Sequence, residues 1–339
     1  MKPQITLRGI GSVAFACLFL IATTNTGHAK QYTIKTAHGI SITSVRHRTY
    51  ENFKQLCEKY SDGRLKVEIH PSASLYPDKA TLEACMIGSL QMVFQPDAEV
   101  AKIFPVGDLI GGPGLYKDVD AFYKFSRSAE LSKLFEPLKA KGLQALGHNL
   151  NSIAYIFMSN VKPIRTPADL SGLKIRSWPA EFPQRMIKAM GAHPVIISFS
   201  EITTALQQKA VDGVFTSCVT GYASKLNKLT KNYCTGILLG PSPNIAVFNK
   251  RFWDLLPKDL QDIILTKVWP ENLQYNKKIV TESEMKAREG YRSTGDLYVL
   301  DSAPNADVWT KAVVPVRDYF VGKVTPAEWN LVKKGLGIQ

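Results

Sequence analysis

Thr-Pro-Ala-Asp-Leu-Ser-Gly-Leu-Lys-Ile-Arg, residues 166–176, opens the part of the segment 163–217 on which the predicted fold depends. Thr166 and Asp169 have the spacing of a capping box, and Pro167 occupies the first position of the short helical turn between them. Residues 173–177 alternate between apolar and polar side chains, which predicts a strand. Arg176 therefore lies at or near the carboxyl end of that strand.

The remainder of the segment continues the alternation of strands and helices. The pattern predicts a helix over 182–190, a strand over 193–197, a helix that begins with the capping pair Ser198 and Glu201, and a strand over 211–215. The segment is thus a β-α-β-α-β unit. Open α/β sheets bind ligands outside the carboxyl ends of their strands, so the surroundings of Arg176 are a candidate site.

A second unit of the same kind precedes it, with strands over 31–37, 65–69 and 91–95 and helices over 45–60 and 78–87. Four apolar positions of this unit (Ala84, Leu90, Val93 and Phe94) recur 121 residues later as Ala205, Val211, Val214 and Phe215. Two similar units far apart in the chain predict two similar lobes, and the cleft between lobes is the default ligand site.

Residues 166–176 resemble the signature of the substrate-binding proteins of tripartite ATP-independent periplasmic (TRAP) transporters. Two further blocks fit that family at matching spacing, namely Met190-Gly191-Ala192 with Pro194, and Ala205-Leu206-Gln207 with Val211-Asp212-Gly213. The resemblance extends over nearly the whole chain after residue 29. It implies an extracytoplasmic solute-binding protein that captures a small organic carboxylate by lobe closure and delivers it to a TRAP-type secondary membrane transporter.

The resemblance implies a two-lobed α/β fold similar to type II periplasmic binding proteins. Lobe I is predicted to comprise residues 30–150 and 243–285, and lobe II residues 151–242 and 286–339. We expect the first crossing between lobes at a bend near residues 148–150 and the return crossing within 238–248. One long amphipathic helix over 257–292, kinked at Pro270, is expected to span both lobes. Residues 118–141 should be mostly helical, and the tail should add a strand over 297–300 and short helices near Trp309 and Trp329.

The resemblance also suggests residues for the site. In the family, the arginine that matches Arg176 holds the carboxylate of the cargo, and an arginine's planar donor fork suits that task. Phe199 matches an aromatic residue that often packs on the cargo, and Phe215 and Thr216 match the acidic or aromatic residue and the polar residue that follow the third strand of the unit. Tyr155 stands where many relatives have a second arginine or a glutamine. His38 and Gln95 match strand ends of lobe I. Trp178 follows Arg176 by two residues and is expected on the same side of the chain, with core packing as the alternative.

The departures from the family pattern narrow the expected cargo. Because Tyr155 stands in place of a second arginine, we expect the cargo to be a monocarboxylate. The aromatic residues around Arg176 indicate that the body of this cargo is apolar or aromatic. Phe215 replaces an acidic residue that helps to bind a metal in some relatives. We therefore expect no metal and no other cofactor.

Residues 1–29 have the three parts of a signal peptide. Lys2 and Arg8 precede an apolar run over 10–22, and Gly27-His28-Ala29 offers a cleavage site near Ala29. The run is too short for a typical membrane span, which needs roughly 20 residues. Without this segment the chain has 40 basic and 29 acidic residues, scattered rather than clustered. We expect a periplasmic monomer that attracts anions and does not bind nucleic acid.

Two questions remain open from the sequence. Cys57 and Cys85 in one lobe, and Cys218 and Cys234 in the other, could form disulfides or remain buried thiols.

An exported α/β enzyme, a lyase or hydrolase acting in the same cleft, is the alternative function. The chain has no G-x-S-x-G elbow, no dinucleotide glycine pattern and no paired metal-ligand motif, so binding is favoured over catalysis. Within binding, a protein that serves an ATP-driven transporter is the lesser alternative.

Overall fold

The computed structural model describes Met1 and residues 30–338, so the predicted signal peptide and its cleavage site lie outside the described part apart from Met1. The chain alternates strands and helices from the start: β1 (Tyr32–Ala37), α1 (Val45–Tyr60), β2 (Leu65–His70), α2 (Asp78–Met86), β3 (Met92–Pro96), α3 (Asp97–Val100), α4 (Val106–Ile110), α5 (Val119–Phe125), α6 (Ala129–Leu134), α7 (Glu136–Ala140), β4 (Leu143–Ser152) and β5 (Tyr155–Ser159).

The second half follows the same logic: β6 (Lys174–Ser177), α8 (Glu181–Ala189), β7 (His193–Ile196), α9 (Ile202–Gln207), β8 (Gly213–Ser217), α10 (Cys218–Ala223), β9 (Asn232–Gly236), β10 (Ser242–Asn249), α11 (Lys250–Leu255), α12 (Lys258–Ile263), α13 (Trp269–Arg292), β11 (Asp296–Val299), α14 (Ala306–Val321) and α15 (Pro326–Leu336). Both predicted β-α-β-α-β units are confirmed. The capping boxes at Thr166 and Ser198 are also present, each opening a 3-10 turn.

Two small sheets form the framework of predicted lobe I. Strand β1 pairs with β2 in parallel, and β10 lies between β3 and β4 with antiparallel pairing to both. The backbone N–H of Gln91 donates to the carbonyl of Lys35 at 2.9 Å, which joins the entry to β3 with β1. Strand β10 is buried along almost its whole length because it is central.

Predicted lobe II is built on one mixed sheet of six strands in the order β11-β9-β5-β8-β6-β7. Strands β6, β7 and β8 run parallel, and β5 runs antiparallel to both β8 and β9. Phe157 and Phe215, paired across β5 and β8, are fully buried at the centre of one face. The residue bounds of the two lobes remain a prediction.

The long helix spans both halves of the molecule, as expected. With 24 residues α13 is about 36 Å long. Near its start the Nδ2 of Asn52, on α1, donates to Asn272 Oδ1 at 2.8 Å, and near its end the hydroxyl of Tyr291 donates to the carbonyl of Cys218 at 2.9 Å. A π-helical segment, Ile264–Val268, separates α12 from α13, so the irregularity in the hydrogen bonding of the predicted long helix lies before Pro270.

The connections differ from the predictions in two places. Strand β4 continues to Ser152, so the chain turns at residues 153 and 154 instead of bending near 148–150. The return connection is confined to residues 237–241, because 242–249 already belong to β10. Both strands are held in place by pairing with each other, which the local sequence does not reveal. None of the helices within residues 30–338 combines the length and apolar composition of a membrane span.

Candidate functional site

The carboxyl ends of strands in both sheet systems lie beside the two connections between them. In predicted lobe I, Pro96 at the end of β3 pairs with Asn244 at the start of β10. In predicted lobe II, Ser217 at the end of β8 pairs with Tyr155 at the start of β5. The connection at 153–154 leads from β4 into β5, and the connection at 237–241 leads from β9 into β10. The strand ends, and the helices that begin after them, therefore line the region where the two halves of the molecule meet.

Arg176 is a buried cation in this region. Its side chain lies on β6 with only 2% of the residue exposed, and its Nε donates to the carbonyl of Ile197 at 2.9 Å. The guanidinium lies 5.9 Å from the centre of the Phe199 ring. Within residues 30–338 no carboxylate forms an ion pair with it, and burial lowers its pKa to about 10. The group remains charged at neutral pH, so it is a desolvated positive charge without a negative partner in the described part of the chain.

The aromatic residues predicted around Arg176 form a stacked group. Tyr155, Trp178 and Phe215 have ring centres 5.2–5.7 Å apart, and Phe182 and Phe157 extend the group. Phe215 is fully buried and Tyr155 is 6% exposed, so these two rings mostly contact other rings. Trp178 is only partly buried, and Phe199 is 41% exposed. The apolar surface left for a ligand is therefore smaller than the sequence suggested.

Sheet geometry separates Arg176 from Trp178. Arg176 pairs with Val214 on β8, so it shares a face of the sheet with Thr216, whereas Phe215 points to the opposite face. Trp178 was expected on the side of Arg176, and this was wrong because β6 ends at Ser177 and the chain turns there. The indole instead stacks on Phe215 with an interplanar angle of 14°. Thr216 is buried, with its methyl group against Gly221 of α10.

The two predicted residues of lobe I lie close together. His38 follows β1, is 1% exposed, stacks on Tyr50 and has its Nε2 3.0 Å from His47 Nδ1. Burial, reinforced by the charge of Arg46, lowers the pKa of His38 to about 4, so the imidazole is neutral at pH 7. Gln95 is the next-to-last residue of β3 and accepts a hydrogen bond from Thr81 Oγ1 at 2.6 Å. None of the described contacts joins this pair to Arg176.

Sequence reasoning missed three charged residues beside His38 and Gln95. Asp78 Oδ1 accepts hydrogen bonds from the backbone N–H of Gly39 at 2.6 Å and from Arg46 Nη1 at 3.2 Å. Gln95 Nε2 donates to the carboxylate of Glu99 and, at 3.3 Å, to the carbonyl of Asp78. Arg46, Asp78 and Glu99 lie in the first turns of α1, α2 and α3. Each helix follows a strand of lobe I, so the rule that selected Arg176 would have found them too.

The hydroxyl of Tyr155, at the start of β5, has a raised pKa. Burial is the main cause, the negative charges of Asp97 on α3 and Asp108 on α4 add to it, and a hydrogen bond with Ser242 opposes it.

The structure also shows the state of the cysteines and the arrangement of possible metal ligands. Cys57, Cys85, Cys218 and Cys234 are free and buried, which answers the question that the sequence left open. Burial raises the pKa of each thiol above its ordinary value, so the thiolate is disfavoured. Within the described part of the chain, no three His, Cys, Asp or Glu side chains converge as a metal site would require.

Comparison with known proteins identifies a family match and relatives that cover most of the chain. Residues 36–323 match the family described as "Bacterial extracellular solute-binding protein, family 7". The C4-dicarboxylate-binding periplasmic protein DctP of Rhodobacter capsulatus is 29% identical over 327 residues, which cover 95% of this chain and 96% of that protein.

Two solved structures share the fold. The sugar acid binding protein DctPAm of Advenella mimigardefordensis, in complex with galactonate, matches with a TM-score of 0.81 and 22% identity, over 91% of this chain and 98% of that one. A TRAP periplasmic solute binding protein of Desulfovibrio salexigens, with bound orotic acid, matches with a TM-score of 0.80 and 22% identity, over 91% and 99%. The predicted two-lobed α/β fold is confirmed by these similarities.

Proposed function

Because this chain belongs to family 7 of the bacterial extracellular solute-binding proteins, we propose that it captures a small organic carboxylate between its lobes and delivers it to a TRAP-type membrane transporter. The relatives with known ligands support the chemistry. One is named for C4-dicarboxylates, and two solved structures contain galactonate and orotic acid. All of these ligands are organic acids.

The observation that supports the proposal most directly is the state of Arg176. An arginine with 2% of its surface exposed and no carboxylate partner within residues 30–338 is unfavourable in the ligand-free protein. The carboxylate of a ligand would supply the missing negative charge, in the bidentate geometry that an arginine prefers. We therefore assign Arg176 as the anchor of the cargo.

The other predicted contacts remain part of the proposal. Phe199 and Trp178 expose enough aromatic surface to contact the ligand, and Thr216 shares the sheet face of Arg176. Tyr155 and Phe215 are packed against other rings and would act mainly by supporting Trp178. Because Arg176 is the only cation among the predicted lobe II contacts, we propose a monocarboxylate as cargo.

Lobe closure would link binding to delivery. The two connections at residues 153–154 and 237–241 are short, and the backbone N–H of Tyr155 donates to the carbonyl of Gly240 at 3.0 Å, so they lie side by side, as hinges between lobes do. Cargo that contacts both lobes stabilises the closed state, and a transporter that recognises this state distinguishes loaded from empty protein. We propose that the protein does this as a periplasmic monomer, after cleavage of residues 1–29, and that it does not transform its cargo.

A thermal-shift screen of organic acids tests the proposal. A ligand at 100 times its Kd adds about 2.7 kcal/mol of stability, which is readily detected as a rise in Tm. The same screen on Arg176→Met should show no such rises. Mass spectrometry of the recovered ligand should show it unchanged, since conversion would favour the enzyme alternative. If no organic acid stabilises the parent protein, the proposed function is wrong.

The export step has its own test. Expression of the full chain in a Gram-negative host should yield a protein in the periplasmic fraction whose intact mass corresponds to a start near residue 30. An uncleaved protein retained in the membrane fraction would contradict this part of the proposal.

A further inference from the structure

Three charged side chains at the end of the long helix form an ion-pair network, which we define as Glu284, Arg288 and Asp301. Arg288 Nε donates to Glu284 Oε1 at 3.3 Å, and Arg288 Nη2 donates to Asp301 Oδ2 at 3.5 Å. Glu284 and Arg288 lie one turn apart on α13, whereas Asp301 lies in the 3-10 turn Leu300–Ser302 that follows β11. The network contains none of the residues predicted for the cargo site.

Each end of the ion-pair network holds the backbone of one connection between the halves of the molecule. At one end, Glu284 Oε2 accepts from the backbone N–H of Ile153 at 3.2 Å. At the other end, Asp301 Oδ1 accepts from the backbone N–H of Ile237 at 2.8 Å. Ile153 and Ile237 are the first residues of the two connections. Arg288 therefore joins both connections through the carboxylates that bind their amides.

The long helix passes between the predicted lobes at the same place. The predicted boundary lies between residues 285 and 286, within the turn of α13 that carries Glu284 and Arg288. Ser152, the last residue of β4, also donates through Oγ to Glu284 Oε2 at 2.8 Å and accepts from the backbone N–H of Val219 at 3.1 Å. The ion-pair network thus contacts all three segments of the chain that pass from one predicted lobe to the other.

The two ion pairs of the network differ in exposure. The side chain of Glu284 is 4% exposed and that of Arg288 is 19% exposed, whereas that of Asp301 is 33% exposed. Burial raises the pKa of the Glu284 carboxyl, and the charge of Arg288 is the first of the effects that oppose this rise. A buried carboxylate that loses its cation is strongly unfavourable, so the inner pair is a fixed part of the core. The Arg288–Asp301 pair is longer and more exposed, so it is the contact whose removal the fold tolerates.

We propose that Arg288 is a positioning residue for cargo binding, which couples the three segments between the lobes so that they change conformation together on closure. This rests on the lobe closure of the proposed function. A ligand-free protein whose connections are coupled has fewer conformations to lose on closure, and cargo therefore binds more tightly. None of the described contacts of the ion-pair network involves a predicted cargo residue. The network should therefore alter the affinity for every cargo by one common factor and leave the preference among cargoes unchanged.

Hydrogen exchange of single amides in the ligand-free protein, measured by NMR, tests the coupling without any ligand. Asp301→Asn retains an oxygen that accepts from the Ile237 amide but removes the charge that binds Arg288. Exchange of the Ile153 amide should become about 2- to 30-fold faster, although Asp301 does not contact Ile153. An unchanged rate at Ile153 would refute the coupling, whatever happens at Ile237.

A second variant and a matched control separate coupling from general damage. Arg288→Met should accelerate exchange at both connections, and adding Asp301→Asn to it should have little further effect, because both substitutions remove the same ion pair. Arg292→Met removes an exposed arginine one turn further along α13, which pairs with Glu289 at 3.7 Å, and should alter neither amide. Additive effects of the first two substitutions, or an equal effect of the control, would count against the network. Asp301→Asn decides the matter if Arg288→Met fails to fold.

Calorimetry tests the consequence for cargo binding. The probes are the organic acids that stabilise the parent protein in the thermal-shift screen, with succinate, D-galactonate and orotate among the acids screened. Asp301→Asn and Arg288→Met should weaken binding of each acid about 2- to 30-fold, with the ratios between acids preserved within about twofold. Unchanged affinities, or a loss confined to one acid, would overturn the positioning role.

The two proposals fail in different ways. If acids bind but the variants leave amide exchange and affinity unchanged, only the coupling by Arg288 is wrong. If no organic acid binds the parent protein, the proposed function is wrong, and the exchange rates of the ligand-free protein still decide whether the ion-pair network couples the connections.

Discussion

Replacing Arg176 by methionine should weaken cargo binding severely without destabilising the ligand-free protein. The side chain is 2% exposed and has no carboxylate partner within residues 30–338. Burial lowers its pKa from 12.5 to about 10, and at about 1.36 kcal/mol per pKa unit this corresponds to roughly 3 kcal/mol of unfavourable desolvation. Methionine avoids that cost and loses a hydrogen bond to a charged group, worth about 1.5–3 kcal/mol. The ligand-free variant should therefore be as stable as the parent or up to about 2 kcal/mol more stable.

Cargo affinity should fall in Arg176→Met, although the stability of the ligand-free protein should not. A cargo carboxylate left buried and unpaired costs about 2–5 kcal/mol. This corresponds to a loss of affinity between about 30-fold and several thousand-fold. A residue important only for packing would lower stability and affinity together, so the opposed signs identify Arg176 as a charge kept for its ligand.

The assay combines calorimetric titration with the tightest acid of the thermal-shift screen and urea unfolding of the ligand-free protein. Arg251→Met, which removes an exposed arginine on α11, is the control and should change neither quantity by more than about 0.5 kcal/mol. Arg176→Lys should retain the charge but bind more weakly than the parent, because the donor fork is lost. An Arg176→Met affinity within threefold of the parent would refute the reasoning.

Three further predictions concern lobe closure, the two phenylalanines near Arg176, and the buried His38. Adding the true cargo should decrease the radius of gyration measured by small-angle scattering, and an unchanged radius at saturation would contradict lobe closure. Phe215→Ala should cost about 3–5 kcal/mol of stability because its ring is fully buried, whereas Phe199→Ala should leave stability within about 1 kcal/mol and weaken binding; equal effects on urea unfolding would contradict these placements. The folded state keeps His38 neutral down to about pH 4 while the unfolded chain binds a proton below about pH 6.5, so stability should fall by up to about 3 kcal/mol as pH decreases between these values. His38→Gln should reduce that dependence and the exposed control His193→Gln should not; an unchanged slope in His38→Gln would contradict the buried neutral state.

The sequence by itself determined the elements whose evidence is local. Helix α1 was predicted with the bounds that the structure has, because an apolar stripe repeats at the helical period. The capping boxes at Thr166 and Ser198 were identified because their hydrogen bonds join residues three positions apart. The position of Arg176 at a strand end followed from alternation over five residues, and the family resemblance supplied its role.

The tertiary structure alone decided what depends on partners distant in the chain. The turn between β4 and β5 lies at residues 153 and 154 because β4 remains paired with β10 as far as Ser152. Trp178 stacks on Phe215 because β6 ends one residue earlier, and no local pattern indicates where a strand loses its neighbours. Whether a buried charge already has an ion-pair partner also depends on residues distant in the chain. Arg46 and Arg176 are both buried arginines, but Arg46 is paired with Asp78, 32 residues away, whereas Arg176 has no carboxylate partner within residues 30–338. Ion pairing between residues distant in the chain decides this difference, because the charge of Arg46 is neutralised by a carboxylate and the described surroundings of Arg176 do not provide one.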